Sequence, residues 1–339
     1  MRNNVAVIGA GAWGTALAAV AARAGRRVVL QARESEVVAS IREHHENTLF
    51  LPDVPLPDSV AATQDAGQAL ENADAALLVV PAQFLRATCR QIRPYFKKGL
   101  PAVICCKGIE QNTGALLGEI LTQELPEAVC AVLSGPTFAH EVAAGKPTAL
   151  TLACEDEKTG WELIEALGSL TFRPYYTNDV LGVQIGGAVK NVLAIAAGIV
   201  AGKRLGENAR ALLITRGLSE LTRFCMALGG RFETMGGLSG LGDLLLTANS
   251  MQSRNFSLGV ALGEGRKLQE ILSERNNVTE GVYTASAVME RARKAAVEMP
   301  LCEALYNILY QGKSIDDALT ELLSRPFRAE SFESYCPKR

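Results

Sequence analysis

Along the first half of the chain, short apolar runs recur between longer stretches with helical patterning. The runs are VAVIG (5–9), RVVL (27–30), DAALLVV (74–80), AVICC (102–106), CAVLS (130–134) and TALTLAC (148–154). Apolar at nearly every position, they read as strands buried on both faces, and their alternation with helices predicts a parallel sheet covered on both sides. Past about residue 178 the pattern changes: long helical segments follow, broken at GKRLGEN, MGGLSGLGD and MP (299–300), and no run reads as a strand. The expected fold class is α/β, with a Rossmann-type parallel-sheet domain over 1–178 followed by an all-helical domain over 179–339. No internal repeat or low-complexity tract is visible, and the C-terminal SFESYCPKR is expected to be loosely held.

The helical half opens on an unusual segment. Val180 to Gly202 has the length of a membrane span, but Gln184, Lys190 and Asn191 interrupt it and small residues fill it, so a core helix is expected. Within it, IGGAVKNVLAIAAG (185–198) holds one lysine and no acid within a helical turn. A buried lysine without a carboxylate partner loses solvation and tends to drop its proton. Lys190 therefore either snorkels to water or is used.

Composition narrows the partners. At 339 residues the chain exceeds what one core supports, so about two domains are expected. The net charge of −2 provides no long-range field for nucleic acid or anionic lipid, and an anionic ligand must be bound locally. The eight cysteines (Cys89, Cys105, Cys106, Cys130, Cys154, Cys225, Cys302, Cys336) show no C-x-x-C pairs, which suggests neither a disulfide framework nor a zinc site. MRNN runs directly into an apolar stretch with no signal-peptide pattern, so a cytoplasmic location is expected.

Directly after the first run comes GAGAWG, in which Gly9, Gly11 and Gly14 fit G-x-G-x-x-G, followed by the helix former TALAAVAARAG. The first glycine permits a tight turn, the second lets backbone approach a pyrophosphate, and the third lets helix pack on strand. In a strand–turn–helix context this is a dinucleotide site. An acid at the end of the second strand would bind the ribose 2′-hydroxyl of NAD, but the chain reads VVLQAR there. Arg33 could instead meet a 2′-phosphate, so NADP is expected to be preferred over NAD. Glu34 and a purely solvated Arg33 are the competing readings.

Ligands of open parallel sheets collect beyond the carboxyl ends of the strands. Three such ends are polar here: VVPAQ (79–83), CCKGIE (105–110) and LSGPTFAHE (133–141). Lys107 is either a solvated strand-end lysine or an anion ligand, and Gly135-Pro136-Thr137 offers turn amides and a hydroxyl. The helical half adds Asn191 beside Lys190, Asp243 in GLSGLGDLLLT, which could simply cap a helix, and Ser253-Arg254-Asn255 as a phosphate cluster. His44 and His45 lie in the polar REHHENT, and His140 lacks an orienting partner in sequence, which leaves lysine as the better acid/base candidate.

Taken in order, VIGAGAWGTALA, LVVPAQ, CCKGIE, LSGPTFAHEV, GGAVKNVLAIAAGIVAG, GLSGLGDLLLT, SRNF and VTEGVYTA resemble bacterial NAD(P)-dependent glycerol-3-phosphate dehydrogenase, and NTLFLPDVPLP (47–57) resembles that family's post-strand loop. The resemblance runs from Val5 to about Pro300. It implies reversible hydride transfer between NAD(P)H and dihydroxyacetone phosphate, giving sn-glycerol 3-phosphate for phospholipid synthesis. It places the catalytic pair on Lys190 and Asp243. Substrate contacts fall on Lys107, Gly135, Thr137, Lys190, Asp243, Ser253, Arg254 and Asn255, and cofactor contacts on Ala12, Trp13, Arg33, Lys107, Ala139, Arg254, Val278 and Glu280. The chain departs from the family in TANS after Asp243, where a cysteine commonly follows the threonine, and in SRNFSLG, which lacks extra arginines after the asparagine.

Reducing a ketone leaves charge on its oxygen and calls for a nearby proton donor. Lys190 is expected to supply it, with burial favouring the neutral amine and Asp243 the charged one. Two rivals stand beside this reading: a related β-hydroxyacid or ketoacid reductase, whose substrate carries a carboxylate, and a non-catalytic dinucleotide sensor in which Lys190 would be expendable. No metal is called for, and a homodimer is compatible with the sequence.

Overall fold

The computed structural model describes residues 2–274 and 279–327. The described residues form two compact units: the first comprises those up to Cys106 together with Leu117–Val180, and the second comprises Lys107–Leu116 and the described residues from Leu181 on.

Among the described residues of the first unit, ten strands form: β1 (Asn4–Ile8), β2 (Arg27–Gln31), β3 (Glu46–Asn47), β4 (Leu51–Pro55), β5 (Val60–Thr63), β6 (Ala75–Leu78), β7 (Pro101–Ile104), β8 (Val129–Ser134), β9 (Thr148–Cys154) and β10 (Phe172–Thr177). Eight of them make one sheet in the order β10-β9-β8-β7-β6-β1-β2-β5, and β3 and β4 pair separately. The central strands are apolar throughout because both faces are covered. Val5, Val7, Leu77 and Val103 share a core with Leu17, Val20, Val142 and Leu163 of the overlying helices, while Ala6, Ile8, Leu78 and Ile104 alternate to the other face and are equally buried.

The sheet is parallel except at one pairing: β9 runs antiparallel to β8, with Ala131 opposite Cys154 and Ser134 opposite Thr151. The connection between them contains only the five-residue helix Ala139–Ala143. Such a helix rises about 7.5 Å, whereas a six-residue strand spans about 20 Å. After it the chain turns back beside β8, whereas the eleven-residue helix Glu157–Leu167 returns along the sheet and β10 pairs parallel with β9.

The strands absent from the apolar pattern are the edges, β5 and β10, and the small β3–β4 pair. In β10, FRPYYT, only Phe172 is fully buried, so no continuous apolar run marks it.

In the second unit, no strand of the named sheets occurs among the described residues, and the core surrounds the helix Val180–Gly202. Ile185, Val189, Val192, Leu193 and Ile195 are all fully buried there, which is why a segment of membrane-span hydropathy behaves as a core helix. Its C-terminal half packs against the helix Arg254–Gly263 at backbone contact distance. A Cβ at Gly198 would meet the Phe256 carbonyl oxygen at 2.1 Å, and one at Gly259 would meet the Ile195 carbonyl oxygen at 2.0 Å. This close approach draws the start of the second helix toward Lys190 and Asn191.

The segment Lys107–Leu116 reaches the second unit's core through Ile109 and Leu116, 0% and 1% exposed. Nothing in its local pattern separates it from the sheet-forming half around it.

Candidate active site

In the first unit, β1 leads through the glycine turn into the helix Ala12–Arg23, whose N-cap is Gly11. Gly9 has φ +108°, and a Cβ there would lie 2.7 Å from the Val79 carbonyl oxygen. At Gly14 a Cβ would lie 1.9 Å from the Gly9 carbonyl oxygen, so only glycine lets the helix start this close to the turn. At Gly11 nothing lies within 4 Å of an added Cβ. The first turn of the helix carries no acidic residue, and its unpaired N–H groups and dipole favour an anion. Trp13 donates its indole N–H to the Cys105 carbonyl at 3.2 Å. Asn47, fully buried, donates to the Ala10 carbonyl and to the Thr15 hydroxyl, each at 2.8 Å, and so braces the turn from β3.

The second unit builds a charged cluster. Asp243, 1% exposed, places Oδ1 3.0 Å from Lys190 Nζ and Oδ2 2.5 Å from Lys107 Nζ. Lys190 also donates to the Thr247 hydroxyl at 2.7 Å, and that hydroxyl donates to Asp243 Oδ1 at 3.3 Å. Asp243 opens the helix Asp243–Ala248 directly after a π-helical turn over Leu238–Gly242. Its carboxylate is turned to the two ammonium groups. Thr247 stands one helical turn on, so i,i+4 spacing aims both at Lys190.

Burial pushes the Lys190 ammonium down from 10.5 to about 8, Asp243 pulls it back up, and Lys107 and Arg254 repel it further. One carboxylate thus faces two buried or half-buried lysines. The cluster carries an excess of positive charge that an anion or a developing oxyanion would offset.

Around it, Ser253 caps the helix Arg254–Gly263 by accepting the Phe256 N–H at 3.2 Å, and Arg254 at the first helical position is exposed. Asn255 donates to Asn191 Oδ1 at 2.9 Å and accepts the Gly281 N–H at 3.0 Å, tying three helices together beside Lys190. Glu280 opens the helix Glu280–Lys294, and Val278 lies outside the described residues.

The family model of the NAD-dependent glycerol-3-phosphate dehydrogenase N-terminus matches residues 4–160, and that of its C-terminus matches residues 179–320. The chain belongs to the NAD-dependent glycerol-3-phosphate dehydrogenase family. It is 57% identical over 97% of its length to glycerol-3-phosphate dehydrogenase [NAD(P)+] of Parvibaculum lavamentivorans, covering 98% of that protein. The protein of the same name from Rhodospirillum rubrum is also 57% identical, with 97% of this chain and 94% of the relative covered. The crystal structure of glycerol-3-phosphate dehydrogenase from Coxiella burnetii superposes with a TM-score of 0.91 at 41% identity, covering 96% of this chain and 99% of the other.

For a member of the glycerol-3-phosphate dehydrogenase family, the structure distributes the sequence-derived candidates over the two units. Gly9, Gly11, Ala12, Trp13, Gly14, Arg33, Gly135, Thr137 and Ala139 belong to the first; Lys107, Lys190, Asp243, Ser253, Arg254, Asn255 and Glu280 belong to the second. Arg33 follows β2, its side chain 89% exposed and 3.5 Å from Glu34. Thr137 donates to the Gly135 carbonyl at 3.3 Å, and a Cβ at Gly135 would lie 2.7 Å from Leu150 Cα. His44, His45 and His140 are all exposed.

Two contributors escaped the sequence reading. Thr247 had only its i,i+4 spacing from Asp243 as a signal, and Asn47 had only its place in the loop NTLFLPDVPLP. The seven described cysteines are free thiols, and Cys336 lies outside the described residues.

Proposed function

We propose that the protein catalyses reversible hydride transfer between NAD(P)H and dihydroxyacetone phosphate, giving sn-glycerol 3-phosphate for glycerophospholipid synthesis in the cytoplasm. The observation that carries this reading is the buried Asp243 shared by Lys190 and Lys107. The relatives named above supply the substrate class.

The residues of the glycine turn fit a nicotinamide dinucleotide. Gly11 leaves open space at a helix N-terminus that carries no acid, where a pyrophosphate would sit. When bound, the dinucleotide supplies the hydride chemistry. Arg33, following β2 without an acid at the strand end, supports a preference for NADP.

Lys190 acts as general acid in reduction, giving its proton to the substrate oxygen, and as general base in oxidation. With its pKa lowered to about 8, both protonation states are accessible near neutral pH. Asp243 and Thr247 hold the amine in place and prevent it from turning to solvent. Lys107 and Arg254 add the charge that stabilises a phosphate and the developing oxyanion, with the Ser253 hydroxyl as a further substrate contact.

An absorbance assay with dihydroxyacetone phosphate, run once with NADPH and once with NADH, tests the reading. Substrate-dependent oxidation is expected with both and faster with NADPH. Small 2-ketoacids serve as the control, and turnover of these in place of the phosphate would overturn the assignment.

A further inference from the structure

Lys107 is delivered to Asp243 by a structure of its own. Residues Lys107–Leu116 form a closed tongue: Ile109 bridges Leu116, Glu110 N–H donates to the Ala115 carbonyl at 3.0 Å, and Gly114 N–H donates to the Glu110 carbonyl at 3.1 Å. Thr113 locks the turn from inside, donating to the Glu110 carboxylate at 2.6 Å and accepting the Ala115 N–H at 3.1 Å. The base is held by Ile109 and Leu116 in the helical core. The tip is held by Arg291, whose Nη1 donates to the Gly114 carbonyl at 2.7 Å, and by a side-chain hydrogen bond between Gln111 and Tyr310.

We propose that Arg291 is a positioning residue for Lys107, fixing the register in which the tongue presents that ammonium to Asp243. This rests on the function proposed above. The geometry carries it in three steps. A guanidinium on a backbone carbonyl is a charge-assisted bond with fixed direction. The two rims are joined by backbone bonds and by the Ile109–Leu116 bridge, so the tip and the stretch that leads from Lys107 are mechanically connected, and loosening Gly114 loosens the segment that presents Lys107. Releasing the tip lets Lys107 leave Asp243 Oδ2, and misplacement of this size costs roughly 10- to 100-fold at a preorganised site.

The test compares Arg291→Gln, the conservative Arg291→Lys and, as a milder release of the same tip, Tyr310→Phe. Trace acetylation by acetic anhydride, read peptide by peptide by mass spectrometry, reports how exposed and how basic the Lys107 amine is. In Arg291→Gln, Lys107 labelling is expected to rise roughly tenfold relative to the other lysines, with Arg291→Lys intermediate. KM for dihydroxyacetone phosphate rises and the pH midpoint of kcat moves up. The groups facing Lys190 are Asp243, Thr247, Lys107 and Arg254, and loss of Lys107 both removes repulsion and leaves Asp243 wholly to Lys190.

Unchanged Lys107 labelling with unchanged KM overturns the proposal, as does labelling that rises equally at every lysine. Should Arg291→Gln fail to fold, the same labelling ratio in Tyr310→Phe decides, a selective rise at Lys107 supporting the proposal and no rise overturning it. A wild-type protein inactive toward dihydroxyacetone phosphate would sink the proposed function while leaving the labelling result to stand or fall by itself.

Discussion

Asp243 divides its carboxylate between two lysines, with Oδ1 3.0 Å from Lys190 and Oδ2 2.5 Å from Lys107. Burial lowers the Lys190 pKa to about 8, Asp243 pulls it back up, and the neighbouring Lys107 pushes it down further. The state of Lys190 is set first by its apolar surroundings and only then by the carboxylate it shares with Lys107.

Lys190→Met should keep the fold, because methionine suits the apolar helix and Asp243 retains Lys107 as a partner. Turnover should fall by about 10²- to 10⁴-fold, the range of a lost general acid or base. NADPH affinity by fluorescence titration should be near that of the wild type. Near-normal kcat would remove Lys190 from the chemistry.

The lowered amine also sets pH behaviour. Oxidation of sn-glycerol 3-phosphate, which needs the free base, should rise with pH through about 8, and reduction should fall over the same interval. For stability, the unfolded lysine binds its proton more tightly than the folded one, so the penalty is fully present below about 8 and relieved as pH rises toward 10.5. Initial rates in both directions across pH 6–10, at saturating substrate, check the first statement; a limb that fails to move in Lys107→Met would contradict the sharing argument.

Arg33→Asp should exchange cofactor preference. An exposed guanidinium that binds a 2′-phosphate contributes about 1.5–3 kcal/mol, so NADP affinity should fall roughly 10- to 100-fold while NAD is retained or improved. Dissociation constants for both cofactors in the two proteins measure this. An NADP preference that survives the substitution would assign the 2′-phosphate to another group.

Glu220 offers a test of stability away from the site. Its carboxylate, 3% exposed, accepts the Leu301 N–H at 2.7 Å and the Cys302 N–H at 3.2 Å, standing in for the N-cap that Met299 cannot provide to the helix Pro300–Tyr310. Burial pushes it up to about 7 from 4.5, against the pull of those N–H groups. The folded state therefore binds the proton more tightly, and stability falls as pH rises between about 4.5 and 7. Glu220→Gln keeps one acceptor and removes the charge, so the melting temperature should become flatter across that window. A slope equal to that of the wild type would place the titration elsewhere.

The glycine turn was legible because its causes are local. Gly9, Gly11 and Gly14 act within six residues of one another, and their spacing alone predicts a turn that opens on a helix N-terminus. The buried strands β1, β6 and β7 were equally plain, since two covered faces demand apolar side chains at every position. The edges β5 and β10 were not, because half-solvated strands carry polar residues. The reversal of β9 depends on where its connection packs in space, which residue types do not show.

By itself, then, the order of residues determined the α/β and helical halves, the dinucleotide turn, and the oddity of a lone lysine in an apolar helix. Tertiary structure decided what surrounds that lysine. Lys107 meets Asp243 across 136 residues and Thr247 meets Lys190 across 57, separations that no period of 2 or 3.6 encodes. The grouping of Lys107–Leu116 with the helical unit is of the same kind: a few apolar anchors and one arginine outweigh proximity in sequence, because burial and charge pairing act through space.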